Sequence, residues 1–182
     1  MTFTDGLTTV KDVFILYSFY GCLLAGTLVL MSNGEYKDIS TIEEGEKIVC
    51  YDINTQVNID VEVQGVYVAD NCDDVYYLYF DDGSKIACTS LHKWMTDSGW
   101  KAIAPNTEGI GTLSVNDTVK LRDGSCVTIT AIECDTITHT VYHLYMEQEY
   151  VMYVTDVLDN VPKMSDTYMP DYSISTSAEP YG

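Results

Sequence analysis

The chain has 182 residues, of which 46% are hydrophobic, and this is enough for one domain with a buried core. It carries 28 acidic residues against 9 basic ones, a formal net charge of −19, so phosphate backbones would be repelled and we expect no direct binding to nucleic acid. Apolar runs stay below the roughly 18 residues that a membrane-spanning helix needs, and no basic segment precedes the run at 13–20. We therefore expect no membrane anchor and no signal peptide.

The cysteine content argues against a disulfide scaffold and against a metal site. The chain has six cysteines, too few for its length to form a disulfide framework, and no C-x-x-C pair occurs. They are Cys22, Cys50, Cys72, Cys88, Cys126 and Cys134. We expect free thiols in a reducing compartment, the cytoplasm of a bacterial or infected cell, and no metal or other cofactor.

Strand signals occupy most of the chain. Several segments are rich in β-branched residues and tyrosine, and turn signals such as SNGE, DDGS, DSGW and RDGS separate them. The predicted strands lie at 61–68, 75–80, 85–88, 126–134, 141–146 and 150–158. No segment has a convincing helical periodicity, and only residues 38–48 favour a short helical turn. The sequence therefore predicts an all-β fold.

An internal repeat indicates two related halves. The segment VYYLY begins at residue 75, and the similar segment VYHLY begins at residue 141. The same offset pairs Val61 with Val127, and a slightly larger offset aligns 39–49 with 110–120. The constant offset distinguishes this pattern from chance similarity between strands. It predicts two β-subdomains related by a pseudo-two-fold axis, each contributing a long hairpin.

The two ends of the chain differ from its middle. Residues 1–12 are polar, and residues 162–182 contain Pro, Ser, Asp and Tyr without a period. We predict an N-terminal arm at 1–21, a β domain at 22–160 and an extended C-terminal arm at 161–182. Arms of this composition become ordered against a partner, so we expect both to dock onto other proteins in a larger assembly.

Three ordered motifs resemble those of the Hint domain, the fold shared by inteins, bacterial intein-like domains and Hedgehog autoprocessing domains. The first, at 22–52, has a cysteine, a short apolar link, a Gly-Thr strand and a turn. The second, at 83–103, has Thr89 and His92 before a turn that ends in tryptophan, and the third, at 141–160, is a closing pair of strands. The resemblance implies a Hint-type horseshoe of two β-subdomains.

The resemblance also implies self-processing chemistry at the Gly21–Cys22 peptide bond. Cys22 would attack the Gly21 carbonyl in an N-to-S acyl shift that leaves a thioester. His92 would protonate the departing nitrogen or assist the thiol. Thr89 would hold the scissile peptide or its oxyanion by hydrogen bonding.

The sequence departs from the Hint pattern at the second scissile bond, Asn160–Val161. In the family the terminal Asn cyclises onto its own carbonyl, usually helped by a preceding histidine, and a Cys, Ser or Thr follows as the acyl acceptor. Here Asp159 precedes Asn160, and Val161 carries no nucleophile. His143 lies near the position where many relatives carry Asp or His, with Tyr150 near another such position. We predict at most a single-turnover autocatalytic cleavage at Cys22, vestigial and without splicing.

Ordinary structural interpretations remain open beside these roles. Cys22 is also consistent with a plain strand cysteine, His92 and His143 with buried structural histidines, and Asn160 with a turn residue. A second hypothesis follows: the Hint fold serves as a non-processing structural component of a multi-subunit assembly, such as a phage particle, and docks through its arms. The missing acceptor at Val161 and the acidity of the chain favour this alternative.

Overall fold

The computed structural model describes residues 21–148, 150–156 and 163–166. Apart from Gly21 and the stretch 163–166, both predicted arms lie outside these residues. So do Asp159, Asn160 and Val161, and the predictions about the arms and that junction stay predictions. In the part of the chain that is described, no helix is long and apolar enough to cross a membrane.

The described residues form sixteen strands and one 3-10 turn at Ile39–Thr41, inside the segment where a helical turn was expected. In chain order the strands are β1 Leu23–Leu24, β2 Leu28–Leu30, β3 Tyr36–Asp38, β4 Lys47–Asp52, β5 Val57–Glu62, β6 Gly65–Cys72, β7 Val75–Phe80, β8 Lys85–Thr89, β9 Trp94–Thr96, β10 Gly99–Ala102, β11 Gly111–Thr112, β12 Thr118–Lys120, β13 Cys126–Cys134, β14 His139–Tyr145, β15 Val151–Thr155 and β16 Lys163–Asp166. The DDGS signal forms the turn between β7 and β8, where Gly83 adopts a φ of +87° that favours glycine.

The strands pair into one open, almost entirely antiparallel sheet, as the all-β prediction requires. Its main path runs β3-β2-β15-β16-β9-β12-β13-β7-β8-β1-β14-β6, with β4, β5, β10 and β11 attached beside it. The core packs around fully buried side chains such as Leu23, Ile48, Leu78, Trp94 and Ile129.

The predicted strand at 61–68 is two strands in the structure. β5 ends at Glu62 and β6 begins at Gly65. Between them the chain changes partner: the Val63 N–H donates to the Glu46 carbonyl, and the Gln64 N–H donates to the Tyr145 carbonyl. The apolar pattern runs through this crossover because both partners are in the same sheet.

The pairing of strands reproduces the sequence repeat. β14 pairs with β6, and β7 pairs with β13. Tyr142 lies opposite Val68 in the first pair, and Tyr76 lies opposite Cys134 in the second. Under the offset of the repeat, Tyr76 corresponds to Tyr142 and Val68 corresponds to Cys134. The two pairs are therefore equivalent under exchange of the two halves, which is the pseudo-two-fold relation that the offset predicts.

The sheet brings the first and the last of the described strands, β1 and β16, to one short connection. β1 lies between β8 and β14, with Leu23 opposite Cys88 and Tyr142. β16 lies between β15 and β9, with Ser165 opposite Trp94. Residues 90–93 join β8 to β9 and carry His92, so the start of β1 and the end of β16 meet beside this connection.

Candidate active site

Cys22 precedes β1 and is completely enclosed. Its exposed fraction is 0%, and it belongs to a small apolar cluster that includes Leu24, Ala69 and Val141. An acyl group carried on this sulfur would be shielded from bulk water. Enclosure of this kind protects a reactive intermediate from hydrolysis.

Thr89, the last residue of β8, holds the backbone of Cys22 at two points. The Cys22 N–H donates to Thr89 Oγ1 at 2.8 Å, and the Thr89 N–H donates to the Cys22 carbonyl oxygen at 2.9 Å. The first of these nitrogens belongs to the Gly21–Cys22 peptide bond and is the atom that leaves in an acyl shift. Thr89 thus holds the Gly21–Cys22 peptide bond from both sides of Cys22.

Gly21 packs against the backbone of His92 without room for a side chain. A Cβ atom at position 21 would lie 2.1 Å from the Cα and 2.6 Å from the backbone nitrogen of His92, whereas real Cβ contacts below 3.0 Å are essentially never seen. Because the neighbour is backbone, a rotamer change cannot relieve such a clash. The close approach fixes the peptide bond beside the His92 side chain.

The imidazole of His92 is neutral near pH 7. Complete burial lowers its pKa from 6.5 to about 3, and a hydrogen bond with the Gly21 backbone acts in the opposite direction. Since hydrogen bonding that favours the protonated imidazole needs an acceptor, the Gly21 atom involved is its carbonyl oxygen. This is the carbonyl of the Gly21–Cys22 peptide bond.

His143 stands beside His92 in the same buried site. Burial, then the proximity of His92, lower its pKa to about 3, and the Gly21 backbone again opposes the shift. The two ring centroids are 6.4 Å apart. Two neutral imidazoles therefore lie side by side in this buried site, and the Gly21 backbone raises the pKa of each.

Ser165 of β16 contacts His92 from the other direction. Its Oγ lies 2.6 Å from His92 Nε2, and both residues are fully buried. The ring of Trp94 packs edge-on against the imidazole, with centroids 5.1 Å apart. The Ser165 hydroxyl donates to Nε2 in the tautomer that carries its proton on Nδ1, and accepts from Nε2 in the other tautomer.

Solved intein structures resemble this arrangement of strands. The solution structure of a bacterial intein-like domain from Clostridium thermocellum superposes with a TM-score of 0.62 at 20% identity, covering 79% of this chain and 97% of that one. The gp41-1 intein gives 0.62 at 20% identity, covering 82% and 99%. A DnaB intein from Synechocystis sp. PCC 6803 gives 0.59 at 20% identity, covering 80% and 99%. The chain has the Hint-type fold of inteins.

This Hint fold is established by structure alone. No family model matches the sequence, and no curated protein matches it either. The similarity to inteins therefore establishes the fold and leaves the chemistry to be argued from the residues of this chain.

Within the Hint fold, the predicted residues Cys22, Thr89 and His92 come together around the Gly21–Cys22 bond. His143, rather than Tyr150, is the residue beside His92; the Tyr150 hydroxyl donates to Glu147 at 3.4 Å. Asp159, Asn160 and Val161 lie outside the described residues, so their predicted roles are untested.

Ser165 is the site residue that no sequence motif indicates. It lies in a segment of mixed Pro, Lys, Met and Ser with no β-branched residue between 163 and 166. What could have indicated a strand here is the need of β15 for partners. β15 is buried along its whole length, and a buried strand needs a neighbouring strand on each of its two edges.

Proposed function

We propose that this Hint-fold chain is self-processing and that Cys22 converts the Gly21–Cys22 peptide bond into a thioester. The Cys22 sulfur bonds to the Gly21 carbonyl carbon, the C–N bond breaks, and the nitrogen takes a proton to become the α-amine of Cys22. The observation that carries the proposal is the convergence of Thr89 and His92 on this one peptide bond.

Each neighbour supports one part of the reaction. Thr89 Oγ1 accepts the hydrogen bond of the leaving nitrogen at 2.8 Å and so orients it for the reaction. The neutral imidazoles of His92 and His143 supply hydrogen-bond donors to the Gly21 carbonyl as it becomes an oxyanion. Because these groups are buried, their electrostatic contribution is not diluted by water.

Intact mass of the full chain during prolonged incubation with a strong thiol tests this proposal. Exchange of the thioester with the thiol should release residues 1–21 as a new thioester and leave a chain that begins at Cys22. Cys22→Ala should abolish the release. Cys72→Ala is the matched control, because Cys72 is another fully buried thiol of the same apolar cluster.

A second pair of variants tests the role of Thr89. Thr89→Val keeps the shape but leaves the buried Cys22 N–H without its acceptor, at a cost of about 1 to 3 kcal/mol, so we expect release to slow about tenfold or more. Thr89→Ser should restore most of the rate. The proposal fails if residues 1–21 stay attached to the wild-type chain, or leave equally fast from Cys22→Ala.

The alternative function is that of a non-processing component of a multi-subunit assembly such as a phage particle. If the chain has this function, we expect residues 1–21 to be retained under all these conditions. It further predicts that both arms dock onto a protein partner. The prediction that the self-processing chemistry is vestigial depends on Val161, because this residue follows the Asn160 junction and carries no nucleophile. All six cysteines lie in the described part of the chain, and each is a free thiol there. Free thiols are typical of a reducing cytoplasm, which is the setting that we expect in either case.

A further inference from the structure

The connection between β8 and β9 is one tight turn that carries two groups of the site. The His92 N–H donates to the Thr89 carbonyl at 3.1 Å, which closes a β-turn with Ser90 and Leu91 at its centre. Thr89 and His92 are the two ends of this turn. The place of the turn in the sheet therefore determines where both side chains lie.

Asp74 holds this turn from the neighbouring connection, between β6 and β7. Its Oδ2 accepts two hydrogen bonds from the buried Ser90, one from the backbone N–H at 3.1 Å and one from the hydroxyl at 2.6 Å. The Ser90 carbonyl in turn accepts from the Ala104 N–H at 2.9 Å. Ser90 is thus fixed at its nitrogen, its side chain and its carbonyl, and Asp74 supplies two of these contacts.

The register of β7 and β8 explains why Asp74 reaches Ser90. Val75, the first residue of β7, lies opposite Thr89, the last residue of β8. In an antiparallel pair the next positions outward, 74 and 90, are then neighbours. The paired register ends at this point, and the Asp74 carboxylate serves as acceptor for the Ser90 N–H. Hydrogen bonds to a carboxylate are stronger than those between neutral groups, so the turn is firmly held.

Other pairs of aspartate and serine in the chain make the same two bonds with a different result. Asp123 Oδ1 accepts from the Ser125 N–H at 2.9 Å and from its hydroxyl at 2.6 Å. There the partner is two residues along the chain, so the bonds shape one local turn. The Asp74–Ser90 pair spans 16 residues and joins two different connections. It fixes the position of one connection relative to the other, which a local pair does not do.

From these contacts we propose that Asp74 is a positioning residue of the self-processing site. Acting through Ser90, its carboxylate holds the turn where Thr89 Oγ1 accepts from the Cys22 N–H and where His92 packs against Gly21. The inference rests on the acyl shift proposed above. It extends the machinery of that reaction to a residue outside the three motifs at 22–52, 83–103 and 141–160.

Thiol-induced release of residues 1–21 tests the inference, measured by intact mass of the full chain and expressed per folded molecule. Asp74→Ala leaves both Ser90 donors without their acceptor, and we expect release to slow about tenfold or more. Asp74→Asn keeps an oxygen that can accept both bonds, so its rate should stay within about threefold of the wild-type rate. Asp123→Ala is the matched control: it removes the same two bonds from a turn outside the site and should leave the rate unchanged.

Amide hydrogen exchange measures the same geometry without any reaction. In the background of Cys22→Ala the peptide bond stays intact, and the backbone N–H of residue 22 still has Thr89 Oγ1 as its acceptor. We expect Asp74→Ala to speed the exchange of this amide relative to that of Ile129, a fully buried core residue whose exchange follows the stability of the whole domain. Asp74→Asn and Asp123→Ala should leave the ratio of the two exchange rates unchanged.

The two measurements distinguish failure of the inference from failure of the proposed function. An unchanged exchange ratio in Asp74→Ala, or release at the wild-type rate from this variant, would overturn the inference alone. Equal losses in Asp74→Asn and Asp74→Ala would overturn it too, because the two hydrogen bonds would then not be what holds the turn. The absence of thiol release from the wild-type chain would overturn the proposed function, and the exchange ratio would still report whether Asp74 holds the turn.

Discussion

Gly21 determines how closely the scissile peptide approaches His92. At Gly65 and Gly111 the close neighbours are the side chains of Tyr145 and Lys101, but at Gly21 the neighbouring atoms are the Cα, the nitrogen and the Cβ of His92. The connection that carries His92 is in turn fixed by β8 and β9, so it has little freedom to withdraw. The position before Cys22 therefore admits glycine and disfavours every larger residue.

Gly21→Ala tests this constraint. The added methyl group would force the peptide bond away from the imidazole, and we expect thiol-induced release of residues 1–21 to fall at least tenfold. Gly65→Ala is the matched control, because its Cβ would lie 2.1 Å from Tyr145 Cζ, at a packed contact outside the site. It should lower the melting temperature yet keep the release rate per folded molecule. Wild-type release from Gly21→Ala would contradict the constraint.

At the scale of elements, β16 contributes one buried charge to the sheet: Lys163 is fully buried, and its Nζ lies 3.2 Å from Oδ2 of Asp82, whose side chain is 30% exposed. Partial burial pushes the pKa of Asp82 upward, but hydrogen bonds from Ser84 and the charge of Lys163 outweigh it, so the pKa lies below its usual range. Asp82 is therefore an anion when it meets Lys163. An ion pair in which only the cation is buried fixes one register of the strand more than it adds to stability.

Lys163→Met should loosen β16, because it leaves Asp82 without its buried cation. We expect the free energy of unfolding to fall by about 1 to 3 kcal/mol in urea denaturation. Lys37→Met is the control: its pair with Glu46 is partly exposed, and its loss should cost below about 1 kcal/mol. Equal stability losses in the two variants would contradict this role of β16.

The elements also separate what the sequence can predict from what it cannot. β7, β8, β13 and β14 follow directly from their β-branched and tyrosine residues and from the turn signals between them. β16 has no such composition, and its strand conformation comes from pairing with β15 and β9, which is tertiary context. The motifs likewise indicate Thr89 and His92 beside Cys22, but the contact of Ser165 with His92 joins distant parts of the chain and needs the sheet register.

At the scale of the whole molecule, the candidate site lies where the two related halves meet. Strand β1 contacts β8 of the first half and β14 of the second, and these strands bring His92 and His143 to a ring separation of 6.4 Å. Both imidazoles are inside the core, so the folded state keeps them neutral. The stability of the entire domain is thereby linked to their protonation.

This linkage predicts that the domain loses stability on mild acidification. The pKa of each buried histidine is about 3 in the folded chain and near 6.5 when unfolded, so below pH 6.5 the unfolded state binds protons that the folded state does not. The contribution of the two neutral histidines to the free energy of unfolding is complete above pH 6.5. It falls as the pH is lowered towards 3, by up to about 1.4 kcal/mol per pH unit for each histidine. Urea denaturation at pH 7, 6 and 5 should show the decline, and His143→Phe should make it shallower.

The third histidine of the chain provides the control for that measurement. His139 is only partly buried and lies 2.7 Å from Asp135, so His139→Gln should leave the steep decline between pH 6.5 and 5 in place. Carboxylates whose pKa is lowered by hydrogen bonds, such as Asp52 and Asp123, lose their contribution only at more acidic pH. An unchanged slope in His143→Phe would mean that folding does not lower the pKa of this imidazole, so that it would not stay neutral in the folded chain below pH 6.5.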